Sequence, residues 1–581
     1  MRKTRFFSRI VAVCLTAMML LTASSALAVE VNAPGTLPMV NEPITLTIGV
    51  EQQPTVEDFE TNLQTVYMEE HSGIALDFVL FPAGEMLTKL ELMMAAGGED
   101  LPDILISSQF DQGLIMNWAE AGYIIPVTEY YDTLFTWGNE TLQYSTSFDS
   151  VEKIKPYITS YDGEIYGMYH LNDDEGNQYN GSRLNIYRPW LEKLGLDAPT
   201  TTDELYEVLK AFKTQDPNGN GIADEIPLSS YAGDPLNWTR RFLMTPFVYT
   251  QDSYYTVEDG KIGVCFNTEG WREGLKYVNK LYEEGLMDPA MFTQDQAALT
   301  VSLSQDPHVI GSYVRISTSN MSGDDLDRYN FLRIEQLTGP DGETRTSVSP
   351  AVPVIQALIT KNCENPEAAF MLLDWMNGKD LSIISHYGFE GLTYEKSDTE
   401  AYIAAQKEFW KTQPVNYPEL FYGEDDSNPN KYPAREYDYT GASLWGTMQN
   451  VWWGQMGPCT ACSPGMNWFN YGAADLESEK GKANFVNEYI ASYTLSQARQ
   501  YRDDSLAVTG MVYNEEEQEV ITDYYSELIN YMKECWAAFI TGSMDIDDDA
   551  TWNQYIQNLE NMNVQGVIDA TQSCYDRMNA K

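Results

Sequence analysis

Residues 184–228 read LNIYRPWLEKLGLDAPTTTDELYEVLKAFKTQDPNGNGIADEIPL: a strand, a short helix, an amphipathic helix and a loop of oxygen-bearing side chains. Pro189 suits the first turn of a helix, where its missing N–H costs nothing, and Gly195 suits the position just past the end. A short first helix is expected between them. Thr201 and Glu204 form a T-x-x-E capping box, and Leu205, Val208, Leu209 and Phe212 follow at i, i+3, i+4 and i+7. The second helix therefore has one apolar face.

After it comes DPNGNGIADEIP. Asp216, Asn218 and Asn220 alternate, Gly221 allows a sharp turn, the Ile222 carbonyl can point inward, and Asp224 and Glu225 follow. This pattern resembles the first nine positions of an EF-hand loop, where hard oxygen ligands on a curled backbone suit Ca2+. The match breaks at position twelve, which is Pro227 instead of a bidentate Glu, so Asp224 or Glu225 would have to close the shell. A structural calcium site over 216–225 is expected, stapling the loop without taking part in chemistry. The competing reading is a turn that binds nothing, since Asn-Gly and Asp-rich stretches favour turns anyway.

Elsewhere, apolar β-rich runs such as ITLTIGV (44–50), ALDFVLF (75–81) and DILIS (103–107) alternate with helical segments such as FETNLQTVYMEEH (59–71) and EMLTKLELMMAAG (85–97). Such alternation argues for α/β lobes with largely parallel sheets. The chain has 581 residues and is 43% apolar, more than one core usually supports and enough to bury two.

The 184–228 unit, with its DPNGNG-x-x-DEIP loop, resembles the extracellular solute-binding proteins of ABC importers, family 1, in the oligosaccharide-binding branch that includes alginate-binding and LplA-like proteins. The resemblance continues through LPDILIS (101–107), GEIYGMY (163–169), WREGLKYVNKLYEEGLMDP (271–289), NPEAAFMLLDWMNG (365–378), YGFEGLTYE (387–395) and the tail from FITGSMDID to YDRM. It implies a bilobal, type II periplasmic-binding-protein-like α/β fold, with two lobes joined by a hinge and an interlobe cleft. The lobes are expected at 44–165 with 297–358 and at 166–296 with 359–581. The implied activity is ligand capture without catalysis: a monomer takes an oligosaccharide in the cleft and delivers it to an ABC transporter permease in the membrane.

Arg2, Lys3, Arg5 and Arg9 precede the apolar run Ile10 to Leu21, and Ala26-Leu27-Ala28 follows. That is a secretory signal peptide over 1–28, and the mature chain is secreted. Relatives in Gram-positive bacteria usually carry a lipobox Cys at this cleavage site. Here Cys14 lies inside the apolar run behind a bulky residue, so there is no clear lipobox and the mode of association with the cell surface stays open. No other stretch is long and apolar enough to span a bilayer.

Without residues 1–28 the chain has 32 Lys plus Arg against 86 Asp plus Glu, a net charge of −54. Such a field repels nucleic acid and anionic membranes, and it makes a polyanionic sugar an awkward ligand unless a local pair such as Arg240-Arg241 overrules it. Cys459-x-x-Cys462 has no second pair or adjacent His to make a zinc site, and a local disulfide is the expectation.

There are 13 Trp and 38 Tyr, densest between Tyr437 and Tyr471, where Trp445, Trp452 and Trp453 stand among Gly, Asn and Gln. A sugar ring offers an apolar C–H face and a hydroxyl rim, so flat aromatics flanked by amides and carboxylates suit it. Most such rings are nevertheless core, and adjacent Trp452 and Trp453 cannot share a groove if they lie on a strand. The family cleft lies at loops leaving strand ends, which adds Gln52 (with Gln53), Phe110, Tyr169, Trp238, Tyr313, Arg315 and Glu390 to Trp445 and Trp452 as ligand-binding candidates. The bland readings are a solvated turn for Glu390 and an ion pair for Arg315. The metal ligands would be Asp216, Asn218, Asn220, Ile222, Asp224 and Glu225.

No G-x-S-x-G, HExxH or G-x-x-x-x-G-K-[ST] motif occurs, and with 86 acids no catalytic carboxylate pair can be picked out. The competing functions are a secreted glycan-degrading enzyme, told apart by product release, and a receptor for peptides or another small polar solute.

Overall fold

The computed structural model describes residues 29–145, 147–173, 182–315, 330–334, 336–347, 350–396, 437–439, 444, 447–453, 457–462, 469–471 and 501–579. Strands β1 (Ile44–Glu51) and β2 (Ile74–Phe81) pair in parallel over eight residues, from Ile44 opposite Ile74 to Glu51 opposite Phe81. Parallel neighbours need a crossover. Helix Leu63–Ser72 provides it, started by the Asn62 side chain accepting from Gln64 N at 3.1 Å and ended by left-handed Gly73. Helix Met86–Ala95 leads to β3 (Ile104–Ile106), parallel to β1. Then comes β4 (Gly167–Asp173).

The chain next builds β5 (Leu184–Tyr187) and helix Arg188–Leu194, with Pro189 in its first turn and Gly195 at φ 67°. Helix Thr202–Thr214 carries the expected capping box and buries Leu205, Val208, Leu209 and Phe212. A hairpin of β6 (Tyr255–Glu258) and β7 (Lys261–Val264) turns through Asp259 and Gly260, both at positive φ, a turn whose twist suits hairpins. Strands β8 (Ser312–Val314) and β9 (Phe331–Ile334) flank β5, both antiparallel to it.

Strand β10 (Val354–Ile359) returns to the first sheet between β3 and β4, antiparallel to both. A small sheet joins β11 (Tyr394–Lys396), β12 (Tyr437–Tyr439) and, across the intervening β13 (Thr460–Cys462), β14 (Phe469–Tyr471). Strand β13 itself extends the first sheet, giving the order β13-β4-β10-β3-β1-β2. C-terminal helices Ser526–Ile540 and Asp549–Asn561 close over helix Glu269–Glu283. Asn279 Nδ2 donates to Phe539 O at 3.2 Å and Ile540 O at 3.1 Å, and Arg272 pairs with Asp549 at 2.8 Å.

Two hydrophobic cores result. The first gathers residues from Met39 to Leu171, Ala351 to Ile384, and Trp453; the second runs from Leu184 to Leu337 and from Val508 to Val567. This corrects the boundaries read from sequence. Residues 299–314, 331–334 and 337 belong to the second core, while 166–171 and 359–384 belong to the first. The reason is sheet pairing: β4 and β10 sit inside the six-stranded sheet, and β8 pairs with β5. Such non-local partners leave no linker signal.

Candidate functional site

In the six-stranded sheet β1, β2, β3, β4 and β13 run the same way, so their carboxyl ends share one edge. In open α/β sheets that edge is where ligands bind. Here it carries Glu51, Gln52, Gln53, Gln109, Phe110 and Asp173. Glu51 Oε1 ties the strand ends together, accepting from Gly84 N at 3.2 Å, Met86 N at 3.4 Å and Gln109 Nε2 at 3.4 Å. Gln52 is exposed beside it. Asp173 is buried and accepts from Ser145 Oγ at 2.5 Å, Ser147 N at 3.0 Å and Ser147 Oγ at 2.7 Å.

From Asp173 the chain re-enters the described structure at Ser182, nine steps on, so the two ends lie within about 30 Å. Ser182 opens one end of the second core's sheet. Arg183 lies level with Arg315, whose N–H donates to Arg183 O at 2.9 Å, and Asn185 Nδ2 donates to both carbonyls, at 3.3 and 3.1 Å. Ser229 bridges Tyr313 in parallel, which brings Tyr231 to the same level. The Arg315 guanidinium carbon stands 5.9 Å from the Tyr231 ring centroid. From helix Asp234–Met244, Arg241 donates Nε to Ser182 Oγ at 3.2 Å and pairs with Asp252. Half-buried Trp238 stands one turn away on the same helix face. One sheet end thus carries Arg315 over Tyr231 and Arg241 on Ser182, with the Arg183 backbone level with Arg315 and Trp238 one turn from Arg241.

The loop after helix Thr202–Thr214 is tightly curled. Asp216 takes φ 46°, with Gly219 at 79° and Gly221 at 75°. The Asp216 carboxylate accepts from Gly219 N at 2.8 Å and Gly221 N at 3.1 Å. Asn218 Oδ1 accepts from Asn220 N at 3.0 Å and Asn220 Oδ1 from Ile222 N at 2.7 Å. Both Asn amides donate to Asp224, at 2.9 Å from Asn218 and 3.0 Å from Asn220. Glu225 Oε1 is buried with no hydrogen-bond partner among the described residues. Burial holds the Glu225 carboxyl above the usual carboxylate range, with the Asp216 and Asp224 charges adding to it. An all-oxygen donor set with one orphaned carboxylate oxygen fits a hard cation. As placed, no three His, Cys, Asp or Glu among the described residues are near enough to share an ion, so binding would draw the carboxylates inward.

The sequence profile of the bacterial extracellular solute-binding proteins matches residues 50–381, more than half of the chain. The chain belongs to this family. It is 32% identical over 282 residues to the fructooligosaccharide ABC transporter substrate-binding protein FusA of Streptococcus pneumoniae serotype 4, covering 48% of this chain and 50% of FusA. It is 22% identical over 371 residues to the polygalacturonan/rhamnogalacturonan-binding protein YtcQ of Bacillus subtilis, covering 60 and 68%. The chain thus spans about half to two thirds of the length of these curated relatives. Among solved structures, FusA with kestose superposes at a TM-score of 0.67 and 22% identity, over 92% of this chain and 99% of FusA. An extracellular solute-binding protein from Bifidobacterium longum subsp. infantis gives 0.70 and 19%, over 92 and 98%. The fold is the type II periplasmic-binding-protein-like α/β fold expected from sequence.

In this solute-binding protein Gln52 and Phe110 stand on the first edge, Phe110 mostly buried with its ring edge-on to Trp118 at 5.7 Å. Trp238 and Arg315 stand on the second. Three candidates need correction. Tyr169 (0% exposed), Tyr313 (1%) and Trp452 (1%) are core residues, not open binding surfaces. Tyr169 lies within a strand whose sheet is covered on both faces, 6.0 Å from Phe135, and Tyr313 packs edge-on to Phe331 at 5.0 Å. Neighbouring Trp453 is also buried, donating Nε1 to Thr65 Oγ1 at 2.9 Å. Glu390 is an exposed turn residue bridging to Tyr394, and Trp445 lies outside the described residues.

The expected Cys459–Cys462 disulfide is also corrected, since Cys459 keeps a free thiol 3.3 Å from His170 Nδ1. Residues 460–462 form β13, and three steps along a strand span about 10 Å, beyond the ~7 Å Cα limit for a bridge. Sequence reasoning missed Glu51, Asp173, Arg183 and Tyr231. The usable signal was the scarcity of basic residues, 36 in 581, which makes each arginine beside a strand end informative.

Proposed function

We propose that this protein is the extracellular substrate-binding component of an ABC importer, capturing an oligosaccharide between its lobes and passing it to a membrane permease. One observation carries the reading. Two strand-end edges, one with Glu51, Gln52 and Gln109 and the other with Trp238, Tyr231 and arginines, lie at either end of the crossing from Asp173 to Ser182. Amide and carboxylate groups on one side and rings on the other are what a sugar's hydroxyl rim and C–H faces require. FusA is named for fructooligosaccharides and YtcQ for polygalacturonan and rhamnogalacturonan, which supports the ligand class. Ligand favours a closed state because only that state contacts the sugar from both lobes. The protein acts by binding, without turnover, after secretion behind the 1–28 leader. No helix among the described residues is long and apolar enough to cross a membrane.

A thermal-shift screen of the mature protein against oligosaccharides tests this. Ligand at 100 times its Kd should add about 2.7 kcal/mol of stability, with a smaller radius of gyration in solution scattering. Release of shortened products would replace the reading with a glycan-degrading enzyme. Silence with sugars and a shift with peptides would replace it with a peptide receptor.

The 216–225 loop is proposed to hold a structural Ca2+, with Asp216, Asn218, Asn220, the Ile222 carbonyl, Asp224 and Glu225 as ligands. The ion would neutralise three carboxylates that otherwise repel one another. Asp216→Ala should then lower the melting temperature more in calcium than in chelator, where only its two backbone hydrogen bonds are lost, whereas equal loss in both media would reject the ion.

A further inference from the structure

We infer that the two lobes turn about a pivot at Gly510, where the second lobe bears on Tyr157 and Val352 of the first, and that the missing side chain at 510 sets the angle between them. Gly510 stands between Val508 and Met511, which pack in the second core, whereas Tyr157 packs against the first. Its segment is tied to the second lobe on both flanks. Val508 N donates to Gln251 Oε1 at 3.2 Å, and Arg577 Nη2 donates to Val512 O at 3.0 Å. The apex between those ties meets the first lobe. A Cβ on Gly510 would stand 2.7 Å from Tyr157 Cδ1 and 2.8 Å from both Tyr157 Cε1 and Val352 Cγ1.

The chain itself crosses between the lobes at this point. Ser347 Oγ donates to Thr250 O of the second lobe at 2.5 Å, and Ala351, four steps on and so within about 14 Å, lies in the first core. Val352 follows directly, and Gln251, next to Thr250, is the residue that holds Val508. Two bodies joined by so short a crossing cannot part there, so a change of angle between them is a rotation about it, absorbed by a few loop residues. Bulk beside such a crossing acts as a wedge. Tyr157 has little room to swing clear, because its ring stands edge-on to buried Phe148 at 5.4 Å and 89°. Gly510 also has φ 64°, which a side chain would strain. A second approach of the lobes accompanies the first. Gln518 Cδ lies 3.6 Å from the point where a Cβ on Gly113 would stand, in the first turn of helix Gln112–Glu120.

Energy transfer between dyes on the two lobes, attached to p-acetylphenylalanine in place of exposed Leu92 and Val301, reads the interlobe distance in the mature protein without ligand. Gly510→Ala adds bulk at the pivot and Val352→Ala removes it, so the two should shift the mean distance in opposite directions, and the double variant should return most of the way to wild type. Gly195→Ala, which is left-handed but has nothing within 4 Å, should leave the distance unchanged. Folded Gly510→Ala and Val352→Ala proteins that both keep the wild-type distance, or that shift it the same way, would overturn the pivot. So would a shift in Gly195→Ala as large as that in Gly510→Ala. If Gly510→Ala fails to fold, Val352→Ala decides alone: a shifted distance supports the pivot and an unshifted one overturns it. No sugar is present in this measurement, so its failure leaves the oligosaccharide reading to its own test.

Discussion

Asp374→Ala is expected to cost about 4 kcal/mol of folding stability, because it strips three backbone N–H groups of the acceptor they share. Asp374 lies on helix Pro366–Met376 and is fully buried. Its carboxylate accepts from Thr136 N at 2.8 Å, Trp137 N at 3.0 Å and Gly138 N at 2.9 Å, which are the first donors of helix Trp137–Leu142. A six-residue helix is too short to persist alone. When it frays, Ser145 and Ser147 just beyond it lose their hold on Asp173, the residue at which the chain leaves the first sheet.

Burial outweighs the three N–H donors and pushes the Asp374 carboxyl up to about 7. The native state thus holds this proton more tightly than the unfolded chain does. The resulting stabilisation is complete below the unfolded value of 3.8 and is lost as the pH rises through about 7. Asp374→Asn cannot titrate, so the melting-temperature advantage of wild type over this variant should narrow between about pH 5 and about pH 8. A gap that stays constant across that range would show that the group does not titrate there.

Local chemistry was legible from sequence because it is settled within one turn. Pro189, Gly195, Thr201 and Glu204 act on neighbours three or four residues away, and each sits where its pattern put it. Burial parity was not legible. Alternation marks one wet face only when a sheet has one, and a sheet with helices on both faces buries both, so Tyr169 looks available in sequence and is sealed in the structure. The lobe boundaries failed for a related reason, since β10 pairs Ile355 with Tyr169 and Leu358 with Leu105, both far earlier in the chain. Arg183, Arg241 and Arg315 were not legible as residues of one sheet end because they lie 58 and 74 residues apart, and only the pairing of Leu184 with Val314 brings the backbones of two of them level. Asp374 did leave a trace, a lone acid in the apolar run AAFMLLDWM, where a solvated face offers no home for it.

Gly167→Ala is expected to be the most damaging single methyl in the first lobe, costing upward of about 3 kcal/mol or preventing accumulation of soluble protein. Gly167 stands opposite Leu358, where β4 and β10 meet across a register irregularity between Ile355 and Ala357. A Cβ at this position would overlap the carbonyl oxygen of Ala357 and come within 2.7 Å of Ile355 Cγ2 and 2.9 Å of Leu358 Cδ2. The first of these is backbone of a strand paired on both sides, so it cannot swing away as a side-chain tip could. Gly195→Ala is the control. That residue has φ 67° with nothing within 4 Å, so its alanine pays only the left-handed backbone penalty, about 1–2 kcal/mol. Denaturant unfolding of both variants separates steric from conformational cost, and equal losses would mean that β4 and β10 do not approach as described. A Gly167→Ala protein that still folds must move β4 away from β10. Because β4 ends at Asp173, that displacement reaches the edge where the chain crosses between lobes, and ligand affinity should fall together with stability.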